Sequence, residues 1–477
     1  MKILITGANG YIGRRLLSKI IEQGYMVVCG VRDKSRFHFD ETLRSRMEII
    51  EMDTLIPETL KNIPDNIDGA YYLVHSMADS SNYSQLELQS ASNFREALSF
   101  TKVQHLIYLS GIVNETQLSK HLQSRKNVEM ELSKGSYHFT CIRAGIIVGS
   151  GSASFEIIRD IVEKLPIMIA PRWLLTRCQP IAVSDVILSL TKSMMNQDTF
   201  DRSFDIGANE ITTYKEMLLS YARIRNLKRN IWIVPLMTPR LSSYWLYFVT
   251  ATSYKLAQAL VDSMKIEVVC RDNVLLKILN IQPISYEEAI RRAFDKIERN
   301  EIFSSWKDAY SSSNGKEKLS NYIIVPEFGC YKDQRKRKIE RYNQCIEKIW
   351  SIGGDNGWYY ANWLWSMRGL LDKLFGGVGL RRGRTNQKEI WVGDALDFWR
   401  VIYSNKDEGR LLLFAEMKLP GETWLEFKIT NNELIQTVTF RPLGLAGRLY
   451  WYLVYPLHGM IFNGLIKRLT EIVKNEK

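Results

Sequence analysis

The chain has 477 residues, 45% of them hydrophobic and 24% charged, and a formal net charge of +12 at pH 7. This length exceeds one hydrophobic core, so we expect two or three domains, and the composition excludes a disordered or fibrous protein. Part of the basic excess lies in two clusters, Arg335–Lys338 and Arg381–Arg384. We interpret them as a solvated helix face and a basic loop. No nucleic-acid-binding motif accompanies them, so we expect no nucleic-acid partner, while a peripheral membrane contact stays open.

The cysteines and the N-terminus indicate a cytoplasmic protein. Six cysteines are scattered without a CxxC pair, which is typical of reduced thiols rather than of disulfides or zinc ligands. An apolar strand begins at Lys2, so we expect no signal peptide. No HExxH, GxSxG or carboxylate pattern of metal spacing occurs, and no metal site is predicted.

The first 150 residues alternate short apolar runs with helical patterns. The runs are Ile3–Ile5, Met26–Val28, Glu48–Ile50, Ala70–Val74, His105–Leu109 and Phe139–Ile142. Runs without polar alternation, separated by helices, are typical of a parallel sheet that is covered on both faces. The sequence therefore predicts an α/β fold that begins with a Rossmann-type doubly wound parallel sheet.

A glycine-rich turn follows the first predicted strand. Its sequence is Thr6-Gly7-Ala8-Asn9-Gly10-Tyr11-Ile12-Gly13, and a helical pattern from Leu16 to Glu22 comes next. Glycines let backbone N–H groups approach a pyrophosphate, and the positive N-terminal end of the following helix stabilises its charge. Strand, glycines and helix in this order predict a nicotinamide dinucleotide site, with a structural tight turn as the alternative.

The end of the second strand bears on the choice between NAD and NADP. An acid there binds the ribose 2′-hydroxyl, whereas an arginine suits a 2′-phosphate. The sequence offers both, since Arg32 precedes Asp33, and Arg14 lies just after the last glycine. Two guanidinium groups near the ribose favour a phosphate through charge-assisted hydrogen bonds. The predicted cofactor is therefore NADP(H), with NAD less favoured.

These motifs resemble the short-chain dehydrogenase/reductase superfamily in its extended and atypical branch. The resemblance implies that the Thr6–Gly13 turn cradles the cofactor and that Asp53, after the third strand, contacts the adenine. It also implies that Val74-His75-Ser76 lines the cofactor and that Ser110, after the fifth strand, takes the position of the active-site serine.

A closer resemblance is to a bacterial subgroup, the YbjT-like atypical reductases, and covers roughly residues 1 to 300. The matching segments are Tyr72-Leu73-Val74-His75-Ser76-Met77, Gly149-Ser150-Gly151-Ser152-Ala153-Ser154-Phe155, Pro171-Arg172-Trp173 and Thr176-Arg177-Cys178-Gln179-Pro180-Ile181. This resemblance implies a protein that lacks the usual active-site residues of the superfamily.

The catalytic pattern departs from the YxxxK pair of standard members. If Glu129 takes the glutamate that usually ends this segment, His121 falls on the tyrosine position and Arg125 on the lysine position. In one interpretation His121 is a general acid/base and Arg125, one helical turn on, holds ribose hydroxyls. In the other, His121 is a polar residue at a helix start and no hydride chemistry occurs.

Three arginines and one aspartate are further candidates. Arg143, Arg172 and Arg177 either bind an anionic substrate or form structural ion pairs, and the sequence leaves both open. Asp185 is interpreted as an acid in the first turn of a helix, where it stabilises the helix start.

The remaining chain divides into a substrate subdomain, a linker and a second domain. Residues 1–300 form the predicted NAD(P)-binding domain, of which about 151–300 is the substrate subdomain that ends in a helix from Tyr286 to Arg299. A polar stretch predicts a linker over 301–320, and 321–477 forms the C-terminal domain.

The C-terminal domain combines helices and antiparallel strands. Helical spacing predicts a helix over 332–352, and turn signals at Pro420-Gly421 and Asn431-Asn432 separate three strands. The strands are Leu411–Met417, Thr423–Ile429 and Leu434–Phe440. An aromatic stretch from Leu449 to Leu465 is shorter than the ~20 apolar residues a membrane span needs, so we expect a packed helix there.

This domain also resembles the uncharacterised domain fused to members of the same subgroup, and its element order resembles a helix-grip, lipid-transfer-like fold. The segments that carry the resemblance are Gly357–Tyr360, Gly376–Gly383 and Gly393–Trp399. Dense aromatics suggest either a cavity for an apolar ligand such as a lipid or quinone, or an ordinary core. They are Trp358, Tyr359, Tyr360, Trp363, Trp365, Trp391, Trp399, Trp451 and Tyr452.

Two functional hypotheses follow. The first is an NADP-dependent reductase or isomerase-like enzyme whose small-molecule, apolar substrate lies between Ser110, His121 and the segment 150–180. The second is a non-catalytic protein that senses the redox state of the cofactor and binds a lipid, quinone or protein partner through its C-terminal domain.

Overall fold

The computed structural model describes most of the chain. The described residues are 1–34, 37, 41–74, 83–113, 120–234, 261–298, 325, 330–375, 377–380 and 389–471. The chain divides into two compact units, Met1–Ser311 and Ser312–Lys477. The predicted linker, residues 301–320, lies outside the described residues.

The first unit is built around a seven-stranded, all-parallel sheet. Its strands in chain order are β1 (Lys2–Thr6), β2 (Met26–Val31), β3 (Met47–Glu51), β4 (Gly69–Tyr72), β5 (His105–Gly111), β6 (His138–Ala144) and β11 (Arg202–Ile206). In space they follow the order β11-β6-β5-β4-β1-β2-β3. The order reverses between β1 and β4, and ligands of such sheets bind at the carboxyl ends of the strands beside that reversal. The predicted doubly wound parallel sheet is confirmed.

Helices cover both faces of this sheet. They are α1 (Tyr11–Glu22), α2 (Pro57–Leu60), α3 (Tyr83–Leu98), α4 (Lys120–Leu132) and α6 (Val183–Ser193). On one face Leu16 of α1 packs with Ile3 and Ile5 of β1, whereas on the other face Leu4 packs with Phe94 of α3. Because both faces are buried, the successive central residues Ile3, Leu4 and Ile5 of β1 are all apolar, which explains the absence of alternation in the sequence.

The rest of the first unit forms a smaller layer with its own core. It contains α5 (Ala153–Lys164), α7 (Tyr214–Ile224), α9 (Tyr286–Glu298) and the short strands β7 (Ile147–Val148), β8 (Ile167–Pro171), β9 (Arg177–Cys178), β10 (Ile181–Ala182), β12 (Thr212–Thr213) and β13 (Asn230–Val234). Phe155, Tyr221 and Ile290 meet at its centre. The short helix α8 (Val274–Ile278) packs with the core of the parallel sheet instead. The side chain of Asp185 lies in the first turn of α6 as expected, and it accepts a hydrogen bond from the Ile284 backbone at 3.0 Å.

Within its described residues, the second unit contains a six-stranded antiparallel sheet and three α-helices. The strands are β14 (Tyr331–Lys338), β15 (Ala395–Leu396), β16 (Trp399–Asn405), β17 (Arg410–Ala415), β18 (Gly421–Thr430) and β19 (Glu433–Pro442), and the helices are α10 (Tyr342–Trp350), α11 (Asn362–Leu374) and α12 (Gly444–Thr470). Their order in the sheet is β14-β19-β18-β17-β16-β15. The three predicted strands are present, and Asn431 and Asn432 both adopt the positive φ of a tight hairpin turn.

The predicted helix over 332–352 is wrong in its first half. Residues Tyr331–Lys338 form an edge strand that pairs with β19, and a helix begins only at Tyr342. The apolar residues that gave the helical spacing begin at Ile339. The basic cluster Arg335–Lys338 is therefore a charged edge strand rather than a helix face, and such charges discourage edge-to-edge pairing with other chains. The second cluster, Arg381–Arg384, lies outside the described residues.

The long C-terminal helix α12 packs against β14 and β19. It spans 27 residues, includes Pro456, and contains the aromatic stretch for which a packed helix was expected. Within the described part of the chain, we find no helix that combines the length and the apolarity needed to cross a membrane.

Candidate functional site

The glycine-rich turn leaves β1 at the point where the sheet order reverses. Gly7 adopts a φ of +65°, a left-handed conformation that favours glycine. Its N–H donates a hydrogen bond to the Gly30 carbonyl of β2 at 3.1 Å, and the Gly10 N–H donates to the Gly7 carbonyl at 2.9 Å. These bonds fold the backbone of the turn over the ends of β1 and β2.

The third glycine lets α1 approach the turn closely. A Cβ on Gly13 would lie 2.3 Å from the Gly7 carbonyl oxygen and 2.9 Å from the Ala8 Cα, distances that real Cβ atoms do not adopt. A Cβ on Gly10 would lie 3.1 Å from the same oxygen, a milder contact. Gly13 is thus required by helix–strand packing, whereas Gly10 keeps the mouth of the turn open for a ligand.

The N-terminus of α1 suits an anion. Gly10 is its N-cap and supplies no side-chain cap, and the first turn, which includes Tyr11, Ile12 and Gly13, contains no acid. Backbone N–H groups at such an end and the helix dipole attract negative charge. Arg14, also in the first turn, adds a positive side chain. The residues present therefore fit the pyrophosphate of a dinucleotide.

Thr6 fastens the turn to the neighbouring strand. Its hydroxyl donates a hydrogen bond to the Tyr71 carbonyl at 3.0 Å and accepts one from the Leu73 N–H at 2.9 Å. This holds the ends of β1 and β4 together at the reversal point. Val74 follows there, half-buried, while His75 and Ser76 lie outside the described residues.

The residues expected at the adenine end gather along the same edge of the sheet. Arg32 follows β2 directly and is exposed, whereas the neighbouring Asp33 is buried with 8% of its surface exposed. Asp53 follows β3, and its carboxylate accepts a hydrogen bond from the Leu55 N–H at 3.0 Å. The parallel sheet thus places Gly7, Arg32 and Asp53 at the carboxyl ends of three adjacent strands.

The segment before α5 closes one side of the turn. The Arg15 guanidinium donates a hydrogen bond to the Ser150 carbonyl at 2.9 Å and lies over the Tyr11 ring at 4.0 Å. Burial raises the pKa of the Tyr11 phenol to about 12, so this side chain is neutral. A Cβ on Gly149 would lie 2.8 Å from the Tyr11 hydroxyl. The expected substrate segment, 150–180, therefore begins against the cofactor turn.

Ser110 and Arg125 meet through a residue that sequence reasoning missed. Tyr108 is buried on β5, and Arg125 of α4 donates a hydrogen bond to its hydroxyl at 3.3 Å. Burial raises the pKa of the Tyr108 phenol overall. Arg125 and Ser110 lie close enough to the phenol to lower that pKa in part. The Ser110 hydroxyl forms no hydrogen bond of ordinary geometry within the described residues. The available signal was the two-residue period of a strand, which puts residues 108 and 110 on one face.

A small polar cavity lies beside this group. It has a volume of about 10 Å³, close to the space one water needs, and Val74, Glu87, Tyr108 and Arg125 line it. Arg125 thus points into the protein beside β5, and its expected role in holding the ribose stays a prediction. His121 lies within α4, but its side chain is outside the described residues, so its proton-transfer role also stays a prediction.

Of the other arginines, Arg143 has a structural role. Its guanidinium binds both oxygens of Glu129, at 3.0 and 2.5 Å, and lies 3.6 Å from Asp205. Arg177 pairs with Glu267 at 2.7 Å on the surface. For these two residues the structure favours ion pairing over substrate binding. Arg172 lies in a single helical turn, Arg172–Leu175, after β8.

Two sequence families match the chain, one in each unit. A family described as NAD(P)H-binding matches residues 7–154, which contain the glycine turn and β2 to β7. A family described as a protein of unknown function, DUF2867, matches residues 329–465 in the second unit.

Curated relatives match the first unit at low identity. A divinyl chlorophyllide a 8-vinyl-reductase from Arabidopsis thaliana is 21% identical over 225 residues, 43% of this chain and 53% of the reductase. The chain thus spans about half the length of that relative. The photosystem II assembly factor Ycf39 of Guillardia theta is 22% identical over 243 residues, 50% of this chain and 74% of that protein.

Solved structures share the fold of the first unit. A triphenylmethane reductase from Citrobacter sp. superposes with a TM-score of 0.51 at 15% identity, covering 62% of this chain and all of the reductase. A nucleoside-diphosphate-sugar epimerase from Staphylococcus aureus superposes with a TM-score of 0.50 at 14% identity, covering 61% of this chain and all of the epimerase. The chain thus contains a segment that matches an NAD(P)H-binding family and shares the fold of these two enzymes, followed by a segment that matches the DUF2867 family.

Proposed function

We propose that this protein is an NADP(H)-dependent reductase that acts on a small, apolar, unsaturated substrate. The observation that carries the proposal is the glycine turn, where α1 packs against Gly7 so closely that Gly13 tolerates no side chain. A turn of this kind, at the reversal point of a parallel sheet and without an acid in the first helical turn, is what a dinucleotide pyrophosphate requires.

The preference for NADP over NAD rests on charge at the end of β2. Arg32 is exposed directly after this strand. Arg14 lies in the first turn of α1, directly after the last glycine of the motif. A 2′-phosphate on the adenosine ribose gains charge-assisted hydrogen bonds from two guanidinium groups, whereas a bare ribose gains far less. Asp33 is buried, which makes it the weaker competitor for the ribose hydroxyls.

The residues behind the reaction act by positioning and polarising the substrate. When bound, the reduced nicotinamide supplies a hydride. The Ser110 hydroxyl, at the carboxyl end of β5, donates a hydrogen bond to the substrate. Next to it, the positively charged Arg125 is hydrogen-bonded to the Tyr108 hydroxyl. His121 lies on the same helix as Arg125. It donates a proton to the atom of the double bond that does not receive the hydride, either a carbon or an oxygen. Hydride and proton together account for one reduced double bond.

The substrate class is inferred from two sources. One relative is named for the reduction of a vinyl group, a reaction that needs no tyrosine on a carbonyl oxygen. If Glu129 takes the glutamate that usually ends this segment, the position of the standard tyrosine falls on His121. Both favour an electron-poor carbon–carbon double bond, or a quinone, over an ordinary alcohol or sugar.

The test begins with calorimetric titration of the full chain with NADPH, NADP, NADH and NAD. We expect NADPH to bind most tightly, and Arg32→Ala to reduce the affinity for NADPH while leaving that for NADH unchanged. Arg177→Ala, which removes an exposed arginine that is paired with Glu267 outside the turn, is the matched control. Equal affinities for NADH and NADPH would refute the NADP preference, and no binding to any of the four would refute the cofactor site.

Turnover is then measured as oxidation of NADPH with a panel of enones, vinyl arenes and quinones. We expect Ser110→Ala to lower kcat by about 100-fold, the usual effect of losing one polarising donor. The Ycf39 relative is named as an assembly factor, and this supports a second candidate, a non-catalytic NADP(H) sensor. Tight NADPH binding without turnover of any substrate class would favour the sensor and overturn the reductase.

The second unit is proposed to adopt a helix-grip arrangement. Its six-stranded antiparallel sheet carries the long helix α12 across β14 and β19, with α11 beside it. Such an arrangement encloses a cavity between the helix and the sheet. A crystal structure in which α12 lay away from the sheet would overturn this assignment.

A further inference from the structure

A cavity of about 250 Å³ lies within the C-terminal unit, between α11, α12 and one face of the sheet. Engineered apolar cavities of about 150 Å³ already bind benzene, and drug-sized pockets begin near 300 Å³. The space therefore suits a ligand larger than a single ring, such as a medium-length alkyl chain. Its walls include Trp365 and Leu364 from α11, Phe440 and Val438 from β19, and Phe462 from α12.

The cavity reaches the surface along its helical side. Met367 and Leu371 of α11 and Leu457 of α12 line it, and each of these side chains is nearly half exposed. By contrast, Trp399 and Val438 on the sheet side are almost completely buried. A ligand can therefore enter between the two helices with its apolar part following an apolar rim.

Three buried nitrogen atoms in the cavity wall have no hydrogen-bond partner among the described residues. They are the indole nitrogens of Trp365 and Trp399 and Nδ1 of His458. Trp358 provides the contrast, because its indole N–H donates to the Asp397 carboxylate at 2.6 Å outside the cavity lining. A buried donor without an acceptor costs free energy, so two such donors, one on the helical side and one on the sheet side of the same cavity, point to a ligand that brings oxygen acceptors.

The cavity also has a positive charge. Arg368 of α11 lines it, and the described residues that contact its guanidinium are the Met417 sulfur, at 3.3 Å, and the Tyr450 hydroxyl, rather than a carboxylate. Burial, and then the charge of Arg368, lower the pKa of His458 to about 4, so the histidine is neutral at pH 7. A guanidinium and two indole N–H groups from residues that line the same cavity match an anionic oxygen group better than a neutral one.

We propose that the C-terminal cavity binds an apolar carboxylic acid, with the alkyl chain between α11, α12 and the sheet and the carboxylate on Arg368 and the indole N–H groups of Trp365 and Trp399. This site is separate from the cofactor turn and does not depend on the proposed reductase activity. The sequence predicted an apolar ligand without naming its head group. The guanidinium and the indole donors favour a carboxylate.

Binding is measured by calorimetry, and by tryptophan fluorescence because Trp365 and Trp399 line the cavity. The probes are decanoic, dodecanoic and hexadecanoic acid, with dodecanol and dodecylamine as matched ligands that replace the head group. We expect saturable binding of dodecanoate at a 1:1 ratio and about 10- to 100-fold weaker binding of the alcohol and the amine. Equal binding of the alcohol would overturn the role of the carboxylate, and failure of all three acids to bind would overturn the site.

Three variants of the full-length protein separate the contribution of the carboxylate head group from that of the alkyl chain. Arg368→Met should weaken dodecanoate by about 10- to 100-fold and leave dodecanol unchanged. Val454→Phe adds bulk to a cavity-lining position on α12 and should abolish binding of both ligands. Arg441→Met, which removes an exposed arginine paired with Glu422, is the control for a general loss of charge. If Arg441→Met weakened dodecanoate as much as Arg368→Met, the acid would be attracted by overall charge and the proposed site would be wrong.

Discussion

The contrast between Gly10 and Gly13 allows cofactor binding to be separated from folding. Gly13→Ala places a Cβ 2.3 Å from the Gly7 carbonyl oxygen and 2.9 Å from the Ala8 Cα, both backbone atoms that cannot rotate away. Gly10→Ala places a Cβ 3.1 Å from the same oxygen, and the φ of −77° and ψ of 172° at this residue suit alanine. The first substitution therefore disturbs the protein itself, and the second disturbs mainly what binds to it.

The expected magnitudes follow from these contacts. To relieve the Gly13→Ala overlap, α1 must move by about 1 Å from β1, and overpacking of this kind costs about 1–3 kcal/mol of unfolding free energy or more. A misplacement of about 1 Å also lowers the rate of the proposed reaction by up to about 100-fold. Gly10→Ala should change the unfolding free energy by less than about 1 kcal/mol, yet weaken NADPH by about tenfold or more, because in the proposed site the pyrophosphate approaches this Cα.

The assay combines calorimetric titration with NADPH and urea unfolding of the same preparations. Gly24→Ala is the matched control, since Gly24 lies beyond the other end of α1 with a φ of +87°, and a Cβ there meets only the Arg46 side chain at 3.5 Å. The left-handed conformation makes this substitution cost about 1–2 kcal/mol of stability, with no change in affinity for NADPH.

Two results would contradict the reasoning. If Gly10→Ala bound NADPH as tightly as the wild type, the pyrophosphate would not lie at the Gly10 turn. If Gly24→Ala weakened NADPH in proportion to its loss of stability, affinity would report on folding in general, and none of the glycine variants would locate the cofactor.

Three further predictions concern buried polar groups. Arg143→Met strands the Glu129 carboxylate and should lower the unfolding free energy by about 3 kcal/mol without changing the Kd for NADPH; a weaker Kd would restore a ligand-binding role. Arg400→Met leaves Glu416 buried and should cost about 3–5 kcal/mol, most of which Arg400→Met combined with Glu416→Met should recover in urea unfolding. Burial lowers the pKa of His105 to about 4, so between pH 6.5 and 4 the unfolded chain binds a proton at this residue that the folded chain does not bind. The free energy that protects β5 against hydrogen exchange should therefore fall by up to about 3 kcal/mol as the pH is lowered from 6.5 to 4. A His105→Gln variant with the same pH dependence would refute this.

Most of the cofactor turn could be predicted from the sequence because its determinants are local. A strand, three glycines and a helix follow one another within Lys2–Glu22, and each is specified by residues a few positions apart. The positions of Arg32 and Asp53 near the turn could also be predicted from the sequence, because parallel strands end at the same edge of a sheet. Their contacts with a cofactor, by contrast, stay predictions.

The error at β14 shows where local patterns fail. The segment Tyr331–Lys338 contains one aromatic and five basic residues, so it has no apolar period of its own, and it was joined to the helical spacing that begins at Ile339. Its strand conformation comes from pairing with β19, where Lys338 lies opposite Glu433. A partner almost a hundred residues away is invisible to a pattern read over 10 or 20 residues.

The seventh strand of the parallel sheet was missed for a related reason. Arg202–Ile206 has two polar residues at its start and lies at the sheet edge beside β6. Its sequence is short and less apolar than the central strands because an edge strand is less completely buried. The hairpins of the second unit were easier, since Asn431-Asn432 specifies its own turn.

The two candidate ligand sites differ in the same way. The cofactor turn is a property of one βαβ segment, and its loss requires a change within that segment. The arrangement of Ser110, Tyr108 and Arg125 combines β5 with α4, whereas that of Arg368, Trp399 and His458 is assembled from α11, β16 and α12. In both assemblies an arginine donates a hydrogen bond to a tyrosine hydroxyl, and a guanidinium in a partly apolar environment binds oxygen acceptors strongly. Substitution of these arginines, rather than of the glycines, therefore tests the proposed substrate site and the proposed carboxylate site separately from cofactor binding.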